Sequence, residues 1–139
     1  MKKKILGISI TSVIVILGSF YLYTSRNGTT FNEIVLDTTE VTSVEIVRSS
    51  DDKKVVLKDE NDINFFIKSL SEAELKENKI KEDFDESYWL VLRTNGERKI
   101  GMTIYDEKFL LLYDYETNKQ TSYQIVRGFH SSNIAKFLN

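Results

Sequence analysis

No charged side chain falls between Lys4 and Arg26. The run from Ile5 to Ser25, ILGISITSVIVILGSFYLYTS, holds 21 residues. Wound as a helix at about 1.5 Å per residue it is roughly 31 Å long, which matches the hydrocarbon thickness of a bilayer. A secretory leader has a shorter apolar core, about 7–15 residues, and ends in small residues at the cleavage subsites. Here the run ends in Phe20-Tyr21-Leu22-Tyr23, and cuts after Ser19 or Ser25 put Leu17 or Tyr23 at the −3 subsite. The chain has no cysteine, so no thiol is present to carry a lipoprotein's lipid. The run therefore reads as an uncleaved transmembrane signal-anchor, with a cleaved leader as the alternative.

The flanks orient it. Lys2, Lys3 and Lys4 precede the run and Arg26 alone follows. Basic residues are retained on the cytoplasmic side, which puts the N-terminus inside. Phe20, Tyr21 and Tyr23 gather at the far end, where amphipathic rings favour the outer interface. The expected organisation is a cytoplasmic stub at 1–4, a single-pass helix at 5–25, a tether and lead-in at 26–40, and an extracytoplasmic domain at 41–139. Gly7 and Thr11 form a small-xxx-small pair that permits close approach of two anchors, a slender basis for a homo-oligomer.

From Phe31 onward the chain holds all 21 acidic residues against 15 basic ones, a net charge of −6. That sign disfavours nucleic acid as a partner, since phosphate affinity comes from clustered Lys and Arg. Without disulfides, stability has to come from burial.

Strand and helix signals follow in order. VTSVEIVRSS and KKVVLK alternate about a Ser-Ser-Asp-Asp cluster and predict a hairpin over 41–58. Ile34-Val35-Leu36 is a candidate short strand or transition. In DENDINFFIKSL, Ile63, Phe66, Ile67 and Leu70 make one apolar stripe, with Asp59 placed as N-cap. Segment 71–87 has ten charged residues in seventeen and reads as an exposed helix extension or a long loop. A meander follows over 88–126, with Asn95-Gly96 as its strongest turn signal. SSNIAKFL predicts a short terminal helix with Ser131 or Ser132 as N-cap. The order β-β-α-β-β-β-β-α with tight connections predicts an α+β domain, an antiparallel sheet with helices on one face.

Catalytic signals are weak. His130 is the sole histidine, with no cysteine for a dyad and no G-x-S-x-G elbow for a triad. Asp83, Asp85 and Ser87 start a calcium-loop spacing, but Tyr88 stands where glycine is needed and Thr94 where glutamate is needed. The expectation is no metal, no cofactor and no enzyme; the alternative is an envelope hydrolase using carboxylates such as Asp83 and Asp85. Aromatic residues are the stronger signal. If Ile100, Met102 and Ile104 face the helices, Thr103 and Tyr105 face away, and the strand Phe109–Tyr113 is apolar on both faces. Trp89, Tyr105, Tyr113 and Tyr115, with segment 71–87 beside them, are the candidate partner-binding residues. The competing reading makes these rings cross-strand pairs that stabilise the sheet.

The apolar N-terminus followed by VTSVEIVRSSDDKKVVLKDENDINFFIKSL, YWLVLRTNGERKIGMTIYDEKFLLLY and NIAKFL resembles short exported or membrane-anchored proteins of Bacillus-like Gram-positive bacteria. The resemblance spans most of 41–138 and rests on element order and spacing, and it implies no activity. Together these readings predict a membrane-tethered, non-catalytic module that binds another envelope protein or a peptide. A structural part of a larger envelope complex is a further alternative.

Overall fold

The computed structural model describes residues 14–17, 19, 28–35, 40–81 and 83–139. Residues 14–17 are helical and exposed. The expected stub with Lys2, Lys3 and Lys4, and most of the expected anchor, including Gly7, Thr11, Phe20, Tyr21 and Tyr23, lie outside the described residues. Among those described, no helix is long and apolar enough to cross a membrane.

Eight strands form one antiparallel sheet: β1 (Thr29–Thr30), β2 (Ser43–Arg48), β3 (Lys54–Leu57), β4 (Glu74–Glu77), β5 (Ser87–Thr94), β6 (Glu97–Tyr105), β7 (Phe109–Asp114) and β8 (Lys119–Arg127). Their spatial order is β1-β4-β8-β7-β6-β5-β2-β3. Among the described residues three helices accompany them after residue 28: α1 (Phe31–Ile34), α2 (Glu60–Ser71) and α3 (Ser132–Ala135). The domain is α+β, as the pattern predicts.

The local chemistry explains most elements. Asp59 Oδ1 accepts from the Asn61 and Asp62 amides at 2.9 and 3.3 Å, satisfying two free donors at the start of α2. The stripe Ile63, Phe66 and Leu70 is buried on the sheet. Asn95 and Gly96 both have positive φ, +50° and +86°, in the two-residue turn that joins β5 to β6. Each strand from β5 to β7 alternates: Tyr88, Leu90 and Leu92, then Met102 and Ile104, then Leu110 and Leu112 enter one core with α1, α2 and α3.

Three elements depart from the sequence expectation. Segment 71–87 contains β4, which pairs with both β1 and β8. The one apolar residue of β4, Leu75, is fully buried, and charged neighbours obscured so short an alternation. The stretch about Ile34 is the helix α1 rather than a strand, since Glu33 accepts from the Thr30 amide and the Thr29 hydroxyl and so closes a helical first turn. Phe31 and Val35 are core residues, and the ordered domain therefore takes in part of the expected lead-in. At the C-terminus Ser131 makes no side-chain cap. Instead Glu107, from the β6–β7 turn, accepts a hydrogen bond from the Ser131 amide.

Candidate functional site

All three helices pack on the face carrying Ile46, Leu90, Met102 and Leu112. The opposite face follows from the register. One row runs Val47, Trp89, Thr103, Leu111, Ser122; the next runs Val56, Glu45, Val91, Gly101, Tyr113, Gln120. Trp89, the only tryptophan, is 58% exposed near the middle of this face. Its neighbours Tyr88 and Leu90 are buried on the other side, as the two-residue period of a strand requires.

Trp89, Val91, Gly101, Thr103, Leu111, Tyr113 and Tyr115 line a groove of about 240 Å³ on this face. Tyr113 and Tyr115 meet edge to face, centroids 4.8 Å apart, and the Tyr113 hydroxyl donates to Asn118 Oδ1 at 3.0 Å. Arg98 stands 5.9 Å over the Tyr115 ring. The rings are thereby held in place by contacts within the domain. Charges flank the groove: Glu45 accepts from Lys54 at 3.2 Å and lies 3.6 Å from Arg93.

Three of the four predicted contact residues, Trp89, Tyr113 and Tyr115, share this groove. Tyr105 lies on the same face but packs against Phe84, centroids 4.5 Å apart, and lines no part of the groove. Phe84 also covers Phe109, so this end of the face is closed by the segment before β5. The sequence placed Thr103 on this face but did not single out Gly101, Arg93 or Arg98. Two small residues flanked on neighbouring strands by bulky ones was the available signal.

Two larger hollows, about 470 and 460 Å³, share Ile34 and Asp114 at the end of the helix-bearing face. Carboxylates line them: Glu40, Asp114 and Glu116 in one, Glu33, Glu77 and Asp114 in the other. Asp114 is held below its ordinary pKa by amides of Thr117 and Glu116 that donate to it, the opposite of what a general acid requires. Asp83 and Asp85 are exposed and line none of these hollows. The Asp85 and Glu86 amides donate to Asp106, which fixes the approach to β5. His130 is exposed beside Glu107. Among the described residues, no three acidic or histidine side chains converge where a cation could be shared.

No protein-family model matches the chain, and no curated protein matches it. Among solved structures, a match is the crystal structure described as "Putative Lipoprotein from Clostridium perfringens". It is 15% identical, the match covers 78% of this chain and 91% of that one, and the TM-score is 0.43.

Proposed function

We propose that the chain is a membrane-tethered extracytoplasmic module that binds a protein or peptide partner through the helix-free face of its sheet. One observation carries the reading: a tryptophan more than half exposed in a groove that two ordered tyrosines complete. A sheet with a single helical layer ordinarily turns a polar face to water. Tryptophan and tyrosine are the side chains that most often anchor interfaces, because they bury much area at small entropic cost. The uncharged run of 21 residues supports the tether. Only Arg26 and Asn27 separate that run from Gly28, beside β1. A spanning run therefore holds the β1 edge of the sheet within roughly 10 Å of the outer surface. Such confinement raises the effective concentration toward a membrane-bound partner.

The test is affinity capture of a C-terminally tagged full chain from detergent-solubilised membranes, alongside Trp89→Ala. Recovery of the intact MKKK terminus with a partner that Trp89→Ala loses supports both halves of the reading. A chain in the medium starting after Ser19 or Ser25 removes the tether. Identical partners for both proteins remove the groove.

A further inference from the structure

The groove is a lane along β6. Thr103 and Gly101 sit between Trp89 and Val91 of β5 on one side and Leu111 and Tyr113 of β7 on the other. Strands lie about 4.8 Å apart, so the large side chains of β5 and β7 stand about 10 Å apart, and the Tyr115 ring lies between them over Gly101, leaving the stretch above Thr103 open. One apolar side chain of an extended segment fits the open stretch between Trp89, Leu111 and the Tyr115 ring. Since β6 is hydrogen-bonded on both edges, an occupant cannot join as a strand and must be held by side chains.

One end of the lane is basic. Arg93 and Arg98 are direct cross-strand partners at a bulge in the β5–β6 pair. Like charges placed opposite each other oppose sheet pairing. The fold relieves this little: Arg93 donates to Gly96 O at 3.3 Å and reaches Glu45 only at 3.6 Å. Glu45 is shared with Lys54. Among the described residues Arg98 pairs with no carboxylate and rests on Tyr115. Lys54, Arg93 and Arg98 against Glu45 leave this rim net positive, on a domain of net charge −6.

Building on the reading of this face as a binding surface, we propose that its occupant is an extended acidic peptide segment of a partner protein. An apolar side chain of the segment enters between Trp89 and Tyr115, and a carboxylate lies between Arg93 and Arg98. Fork-shaped guanidinium groups suit a carboxylate, and two of them meet where they otherwise repel. A second copy of the chain is disfavoured, because pairing this face with itself brings the same cations together. A flat anionic lipid surface leaves the lane unfilled.

Because Trp89 is the only tryptophan, its emission reports directly on the lane. The full chain in mild detergent is titrated with three blocked peptides of alternating apolar residues, ending in paired glutamates, glutamines or lysines. Anionic-lipid vesicles form a fourth arm. The expected result is binding of the glutamate peptide about tenfold or more tighter than the glutamine peptide, since hydrogen bonds to a charged carboxylate are stronger than those to an amide. That preference should fade with salt and vanish in Arg93→Gln/Arg98→Gln, which keeps its affinity for the glutamine peptide. Equal affinity for all three peptides overturns the acidic occupant and leaves the binding face standing. A Trp89 response to vesicles alone overturns it in favour of lipid. No response in any arm overturns both readings.

Discussion

The ring of Tyr115 lies across Gly101, so close that a β-carbon at position 101 would stand 3.1 Å from Tyr115 Cε2 and 3.3 Å from its hydroxyl. Tyr115 thereby owes its place in the groove to the absence of a side chain on β6. Gly101 has no positive φ, so alanine fits its backbone and even restricts the unfolded chain. Gly101→Ala should change folding stability by less than about 1 kcal/mol, because the smaller loss of chain entropy on folding offsets the cost of displacing the ring. It should nonetheless alter Trp89 emission and weaken partner binding. A double-mutant cycle with Tyr115→Ala isolates the coupling; if the two changes act additively on binding, the ring is not what glycine accommodates.

Core and groove should separate cleanly in a second pair of variants. Phe66 is fully buried on α2, and Phe66→Ala should cost about 3–5 kcal/mol through lost burial and the cavity left behind. Trp89 is mostly exposed, and Trp89→Ala should cost under about 1 kcal/mol while removing the groove's largest wall. Urea midpoints decide the matter. A Trp89→Ala loss as large as that of Phe66→Ala would make the indole a structural prop rather than a contact.

This division was half visible in the sequence. Hydrophobic period together with cap and turn residues placed α2, the β2–β3 hairpin and the meander, because each buries a spaced apolar stripe bounded by a recognisable turn or cap. Leu75 shows where that logic ends. A single apolar residue among Glu74, Lys76 and Glu77 carries no period, and only the approach of Thr29 and Ile125 on either side makes it a core strand. The groove was legible as an excess of aromatics but not as a shape. The lane depends on the register that sets Trp89 against Thr103 and Val91 against Gly101, and register is a property of two strands at once. Tyr105 illustrates the same limit: its parity is right, but Phe84, from the segment before β5, covers it.

Acid should destabilise the domain in a defined window. Asp51 is pulled to about 2 by the Arg48 side chain, whose Nε and Nη2 lie 3.0 and 2.6 Å from its oxygens. Glu33 is lowered chiefly by the Thr30 amide, Glu107 by Ser131, and Asp114 by the Thr117 amide. Folded pKa values below the unfolded ones mean that these carboxylates stabilise the fold above the unfolded values, near about 4, and that this is lost as pH falls through the folded ones. Stability should hold from pH 7 to about 5 and decline from about 4.5 toward 2. Glu107→Gln should make that acid limb shallower. Glu107→Ala should also remove the acceptor at the start of α3 and lower the urea midpoint at pH 7, by about 1 kcal/mol of stability. An acid limb that Glu107→Gln leaves unchanged would count against the Glu107–Ser131 contact.

Gly128 joins the sheet to the helical layer. It follows β8 with φ +81°, and a β-carbon there would collide with the carbonyl oxygen of Glu72, the C-cap of α2. Gly96 in the β5–β6 turn has a similar φ, +86°, but nothing within 4 Å of such a carbon. Alanine at both positions therefore separates two effects that usually travel together. Gly96→Ala carries only the left-handed backbone cost, about 1 kcal/mol. Gly128→Ala adds a clash with backbone that cannot swing aside, and should lose about 3 kcal/mol or more. Because the clash pushes α2 off β8, amide exchange should quicken around Leu70 and Ala73 in Gly128→Ala and stay unchanged there in Gly96→Ala. Equal losses in the two variants would mean that α2 shifts freely against β8, and that the core beneath it is not fixed by this contact.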